Sequence, residues 1–390
     1  MPPVNTPTAN ISDKHKLLGL DHLRAFAICY VVLFHYHQFG HPNWVNKVGD
    51  FGWTGVDLFF VLSGFLISGQ LFATIAKGGA ISMKEFFTKR FFRIIPPYLL
   101  MLCLYDAFPF LREREHMAAL WRYLTFTTNF GLNVSQTGTF THSWSLCVEE
   151  QFYLILPLCV LLFSYLKIGK KSAYLILALF LAGFAIRYMN WQLWMQPNLN
   201  SDNFGALFNK FIYYPTYNRL DALLAGVSVA GIYTFYPAIK DRISKRSNLI
   251  MLAGVVLLIP ACFICTPQPT FSTTVWGYPL IAISYGLIVA AVVCPGNILY
   301  SVKSWLTAQI ATLSYGIYLT HKLVIHLTQN LLEKAGADRN SSLVMLCCIL
   351  SCITGAVVLR YLIEKPSLRL RNKILSRQRQ KLKRKEIALI

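Results

Sequence analysis

The sequence predicts an all-α, polytopic membrane protein with about ten transmembrane helices and both termini cytoplasmic, and three observations carry that prediction. Hydrophobic residues make up 55% of the chain and charged residues only 14%, so mean hydropathy is positive. The apolar residues gather into runs of ~20, the length a helix needs to cross a bilayer. Lys and Arg fall mainly in alternate connections, as the positive-inside rule requires.

The spans are expected near residues 17–39, 54–76, 94–111, 145–166, 173–194, 211–236, 249–266, 273–294, 305–331 and 342–363. Before the first span lies Met1 to Lys16, a polar leader with no apolar stretch of its own. It therefore reads as a disordered cytoplasmic segment, and the first span reads as a retained helix. A membrane domain is expected over 17–366 and a basic cytoplasmic tail over 367–390. With the leader inside, inner segments carry 25 Lys and Arg and outer segments 7, the other five lying within spans. The net charge of +20 thus reports topology and attraction to anionic membrane lipids, and no nucleic-acid partner is expected. Most of the ten Cys sit in apolar spans as small hydrophobes, and no spacing suggests a metal site. Neither a P-loop nor a dinucleotide fingerprint is present.

Ionisable residues inside spans are costly and point to function. Arg24 and His35 are eleven residues apart, which at ~100° per residue puts them on one stripe of the first helix, roughly 16 Å apart. Alternating helix directions convert position into height. Asp57, Glu149, Glu150, Arg219, Asp221, His321 and Lys322 then share the outer half of the membrane with His35. Arg24 lies in the inner half, above the basic segment Lys84 to Arg93. An anionic ligand would enter from the cytoplasm and meet a centre on the outer side.

Several blocks resemble one family. They are Leu20-Asp21-His22-Leu23-Arg24 through His35, Gly55-Val56-Asp57 through Leu66, Lys89-Arg90-Phe91-Phe92-Arg93-Ile94-Ile95-Pro96, Ser143-Trp144-Ser145 through Glu149-Glu150 to Tyr153, Arg219-Leu220-Asp221 through Gly226, and Leu313-Ser314-Tyr315 through His321. Their residues and order are similar to those of the integral-membrane acyltransferase-3 family. The resemblance implies transfer of an acyl group, usually acetyl, from cytoplasmic acyl-coenzyme A to a hydroxyl of a carbohydrate. The acceptor would be lipid-linked or part of the cell envelope, such as lipopolysaccharide O-antigen or exopolysaccharide, and the enzyme would sit in the inner membrane. A macrolide or another small glycosylated molecule is an alternative acceptor. The chain resembles the standalone form, without the esterase-like domain that many members add.

A sugar hydroxyl needs a general base to attack a thioester, and His35 is assigned that role. Arg24 is expected to bind the pyrophosphate or pantetheine of acetyl-coenzyme A, or else to pair with a carboxylate between helices. Arg90 and Arg93 lie where the adenosine phosphates would enter. Ser145 and Glu149 form an i, i+4 pair. Glu149 is expected to orient His35, act as base itself, or bridge to Arg219, while Glu150 serves a different neighbour. Asp57 either reaches His35 or the acceptor, or interacts with its own helix dipole. Arg219 and Asp221 are assigned to substrate binding, with at least one salt bridge to another helix. His321 is an acceptor-side ligand, and the outer loop Arg112 to Thr141, ending beside His142 and Ser143, contacts the acceptor. No metal is expected. A transporter or flippase, or a membrane assembly protein, would also carry charges at this depth and would not need coenzyme A.

Overall fold

Long apolar runs cannot leave backbone polar groups unpaired in lipid, so they close their hydrogen bonds within helices. In a computed structural model, described over residues 17–266 and 268–387, every expected span is met by a helix, and no strand occurs among the described residues. The helices are α1 Leu18–Tyr36, α2 Thr54–Ala76, α3 Met83–Ala107, α4 Trp144–Tyr165, α5 Ser172–Asn190, α6 Leu220–Phe235, α7 Ser247–Cys265, α8 Tyr278–Val292, α9 Trp305–Lys334, α10 Ser342–Leu359 and α11 Lys365–Ile387. Seven helical segments are long and apolar enough to cross a bilayer. The number is eight if α6 and the short helix after it, bent by 108°, form one span. The ten expected spans thus include α3 and α9, whose polar residues keep them out of that set. The expected leader, Met1 to Lys16, lies outside the described residues.

Two boundaries differ from the sequence reading, each for a local reason. The basic segment Lys84 to Arg93 is not a loop but the first turns of α3. Ser82 caps that helix by accepting a hydrogen bond from the Glu85 amide, and Glu85 pairs with Lys89 one turn on, at 2.8 Å. The helix then runs on through Pro96 and Pro97. The sixth span shortens to Leu220–Phe235, because the chain before it winds through a π turn at 209–213 and, after Pro215, a 3₁₀ turn at 216–218.

Apolar helices in lipid gain little from burying more apolar surface, so they associate by close packing at small residues. The tightest contact joins α2 and α6 through two glycines. A Cβ on Gly226 would collide with the Val61 carbonyl, and one on Gly64 with the Leu223 carbonyl. Gly316 of α9 lies against Ala356 of α10, and Gly55 of α2 against the Ala27 carbonyl of α1. Helices α1, α2, α4 and α9, together with the start of α3, surround the interior space where the candidate site lies.

Candidate active site

A cavity of about 240 Å³ lies among α1, α2, α3, α4 and α9. Its lining on α2 runs from Val56 to Gln70, which at ~1.5 Å per residue makes it an elongated slot about 21 Å long. Three arginines line it: Arg24 from α1, and Arg90 and Arg93 from α3. Arg90 lies 3.4 Å from the Gln70 amide oxygen and 5.6 Å over the Tyr153 ring. Arg24 lies 4.0 Å from the Asp21 carboxylate, one turn back. Arg90 and Arg93 thus line the same cavity, and they do so from a helix rather than from a loop. The cluster forms because α3 begins early enough to carry Arg90 and Arg93 beside α1.

Glu149 also lines the cavity. Its carboxylate accepts from Ser63 Oγ at 2.7 Å and from the Tyr153 hydroxyl at 3.2 Å. Its hydrogen-bond partners are thus Ser63 and Tyr153, not the His35 or Arg219 that the orienting and bridging roles require. Glu150, about 100° further round the helix, is absent from the lining, and its Oε1 has no hydrogen-bond partner.

Ser145 and Tyr318 form the wall beyond Glu149. Ser145 Oγ and the Tyr318 hydroxyl are 2.6 Å apart, and the Tyr318 hydroxyl donates to the His142 carbonyl, also at 2.6 Å. Two imidazoles, His142 and His321, stand next to this wall and a third, His35, lies against them; all three are buried, and none is among the residues that line the cavity. His35 comes from the end of α1, His321 from the middle of α9, and His142 from the 3₁₀ turn that leads into α4. The His142 and His321 rings lie 5.5 and 5.9 Å from the Tyr318 ring.

The hydrogen bonds of this group fix its protons. His321 Nδ1 faces the Tyr318 carbonyl at 2.8 Å, and a carbonyl only accepts, so Nδ1 carries the hydrogen. In neutral His321, Nε2 is then an acceptor, and the group 2.9 Å away, His35 Nδ1, must donate to it. His35 is left with its lone pair on Nε2, the form a general base requires. Among the described residues, no set of three His, Cys, Asp or Glu is arranged to hold a metal ion. Beside the histidines, the buried Lys322 donates to Thr141 Oγ1 at 3.1 Å and is attracted through space by Glu113.

The structure places the other expected site residues elsewhere. Both Asp57 oxygens accept from Arg219 Nη2, at 2.7 and 2.8 Å, so Asp57 does not reach His35. The Arg219 guanidinium lies among four rings, those of Trp53, Trp144, Tyr213 and Tyr278, the last at 4.2 Å. Asp221 pairs with Arg187 of α5 at 2.5 Å. Arg219 and Asp221 therefore tie helices together and do not line the cavity. His321 does belong to the centre, as the hydrogen-bonding partner of His35. The residues that sequence reasoning underused are Tyr318, Ser63, Tyr153, Lys322 and His142. Tyr318 is one turn from His321, Lys322 is adjacent to it, and His142 immediately precedes the Ser143-Trp144-Ser145 block, so position relative to the motifs was the available signal.

Comparisons with known proteins place the chain among relatives. The family model described as an acyltransferase domain matches residues 17–361. The O-acetyltransferase OatA of Staphylococcus aureus is 29% identical over 329 residues, covering 79% of this chain and 50% of that protein. The putative peptidoglycan O-acetyltransferase YrhL of Bacillus subtilis is 26% identical, covering 80% and 49%. The peptidoglycan O-acetyltransferase OatA of Listeria monocytogenes is 26% identical, covering 81% and 50%. The chain thus spans about half the length of the curated relatives it matches. No solved structure matches it. With the match running from the start of α1 through the end of α10, the chain belongs to the integral-membrane acyltransferase-3 family.

Proposed function

We propose that this protein is an O-acyltransferase that moves an acetyl group from acetyl-coenzyme A to a hydroxyl of a cell-envelope carbohydrate. The observation that carries this reading is the contiguity of the arginine-lined slot with the wall of Ser145 and Tyr318 that abuts the histidine group. A phosphate-bearing thioester has cationic, bidentate partners at Arg24, Arg90 and Arg93. A slot of about 240 Å³ suits its narrow pantetheine arm, with the adenosine phosphates toward the arginines.

In this reading the acceptor hydroxyl gives its proton to His35 Nε2 as its oxygen attacks the thioester carbon. The carbon–sulfur bond then breaks, and the departing thiolate takes that proton back from the imidazolium. His321 holds His35 in the required tautomer, as a carbonyl or carboxylate does in other general-base histidines. Glu149, in this reading, fixes Ser63 and Tyr153 along the slot. The relatives named above point to peptidoglycan as the acceptor to test first, ahead of O-antigen or exopolysaccharide, and the membrane in question is the cytoplasmic one, where coenzyme A is available. The test is transfer of radiolabelled acetyl from acetyl-coenzyme A to envelope glycan by membranes holding this chain. Label in the glycan supports the reading. Donor left intact, with no label transferred, overturns it in favour of transport or assembly.

A further inference from the structure

The helix that follows the last span, α11, lies outside the residues that the family model matches, and the proposed reaction gives it no role. It packs against α3, as does the π turn Arg360–Glu364 that leads into it. Its covered stripe is Glu364, Leu368, Arg371 and Leu375, spaced three and four residues apart, with Glu364 and Leu375 buried. Arg369, Lys373 and Arg377 lie on other faces and are exposed, whereas Arg371 is half-buried on the stripe.

This corner of the fold adjoins the cytoplasmic mouth of the slot. Glu364 is drawn through space to Arg93, which lines the slot, and it also acts on Tyr315, another lining residue. Tyr315 in turn donates to the Ile94 carbonyl of α3 at 2.8 Å. Arg93 is exposed, as befits a residue at an opening, and its charge acts through space on Arg371. The Arg371 fork meets the Asn372 amide oxygen, with Nε at 3.1 Å and Nη2 at 3.0 Å. That oxygen is neutral and leaves the charge uncompensated. Two guanidiniums therefore repel each other beside the mouth, and an anion placed between them relieves the repulsion.

The length of the donor says which anion comes there. About 14 bonds separate the acetyl carbon of acetyl-coenzyme A from its first phosphorus, which at ~1.2 Å per extended bond is about 17 Å. That is most of the slot, whose length is about 21 Å. With the thioester at the Ser145 and Tyr318 end, the pyrophosphate reaches the mouth, and the ribose with its own phosphate lies outside it, on the side of α11. We infer that α11 completes the donor site, with Arg371 and the neighbouring Arg93 binding the ribose phosphate of coenzyme A, so that the enzyme distinguishes this donor from thioesters lacking that group. The inference rests on the acyltransferase reading. A phosphate monoester carries nearly two charges and three acceptor oxygens, enough for the forks of both arginines, and it displaces the neutral Asn372 oxygen as the stronger acceptor.

The experiment measures binding by calorimetry, using the purified full chain in phosphatidylcholine nanodiscs with coenzyme A and 3′-dephospho-coenzyme A as probes. Wild type is expected to bind coenzyme A about tenfold or more tightly than the dephospho compound, the worth of a charge-assisted pair. Arg371→Ala should bind coenzyme A about tenfold more weakly, with affinity for the dephospho compound within about twofold of wild type, so that the preference nearly vanishes. Lys373→Ala, on an exposed face, should keep the preference. Equal weakening of both probes in Arg371→Ala would show that Arg371 only packs α11, and an unchanged preference would show that the ribose phosphate is held elsewhere. Either result overturns the inference and leaves the acyltransferase reading standing. A second series in discs containing phosphatidylglycerol separates a lipid headgroup from the nucleotide. No preference in wild type, together with a phosphatidylglycerol-dependent rise in Tm that Arg371→Ala abolishes, would assign Arg371 to lipid phosphate instead. Wild type that binds neither probe overturns the donor assignment itself, and this inference with it.

Discussion

Two groups of buried ionisable side chains lie within the helix bundle, and they are built in opposite ways. Around Arg219, each charge has a partner on another helix: Asp57 of α2 takes both carboxylate oxygens to Arg219, and Asp221 pairs with Arg187 of α5, with aromatic rings around the guanidinium. Around His35, the imidazoles bond to one another and to backbone carbonyls, one acceptor is unfilled, and an arginine-lined slot ends beside them. Ionisable groups in a membrane point to function by default. The contrast refines that rule, because opposite charges paired between helices and away from the cavity mark a strut, whereas imidazoles bonded to one another beside the cavity wall mark a site. Unfilled hydrogen-bond capacity does not separate the two, since Arg219 Nε and Nη1, Arg187 Nε and Nη2 and the Tyr278 hydroxyl are also buried without a hydrogen-bond partner.

Removing His35 is the most severe way to test the difference. General-base catalysis contributes roughly 10²- to 10⁴-fold, so His35→Ala is expected to lower acetyl transfer by that factor. Protein abundance and thermal stability in detergent should fall much less than activity, by the roughly 1–3 kcal/mol that leaving His321 Nε2 without its donor costs. If abundance falls with activity, the histidine group is a strut as well and the distinction fails.

The opposite outcome is expected at Asp57. Asp57→Ala leaves Arg219 buried without its counter-charge, a loss of about 3–5 kcal/mol, which should appear as lower abundance and an earlier melt. Pairing Asp57→Leu with Arg219→Met removes both charges and should recover much of that stability, together with measurable transfer. A stable double variant with no transfer would place this pair in the mechanism after all.

Helix contact gives a smaller effect. Gly226→Ala forces α6 away from the Val61 carbonyl and should cost about 1–3 kcal/mol, after allowing for the better helix propensity of Ala. Transfer per folded molecule should change little, since Gly226 is not among the residues lining the slot.

The difference between the two groups also marks where the sequence stopped being informative. Helix positions were legible because apolar runs of membrane length leave the backbone one solution. The shared stripe of Arg24 and His35 followed from helical geometry, and α1 is one uninterrupted helix across both. Position along a helix gives depth, however, and depth alone put Asp57, Glu149, Arg219, Asp221 and His321 in one group. Which carboxylate meets which arginine depends on the rotation of each helix about its axis and on the packing of glycine pairs, and these are settled by contacts between distant residues. Asp57 and Arg219 are 162 positions apart. His142 was harder still, since it lies in a turn where no periodicity reports its direction.

The smallest predicted effect sharpens the slot itself. Arg24→Lys keeps a positive charge at the same place on α1 but loses the planar fork that binds phosphate or amide oxygens in two places, a change worth about 1.4 kcal/mol or tenfold. If Arg24 holds the donor, the loss should appear as a higher KM for acetyl-coenzyme A with kcat nearly unchanged, because such binding acts equally on ground and transition states. A fall in kcat at unchanged KM would place Arg24 instead among the groups that stabilise the transition state, which its position in α1, eleven residues before His35, does not favour. An unchanged KM and kcat would leave Asp21, one turn away, as the meaningful partner of Arg24, and would move it from the site to the struts.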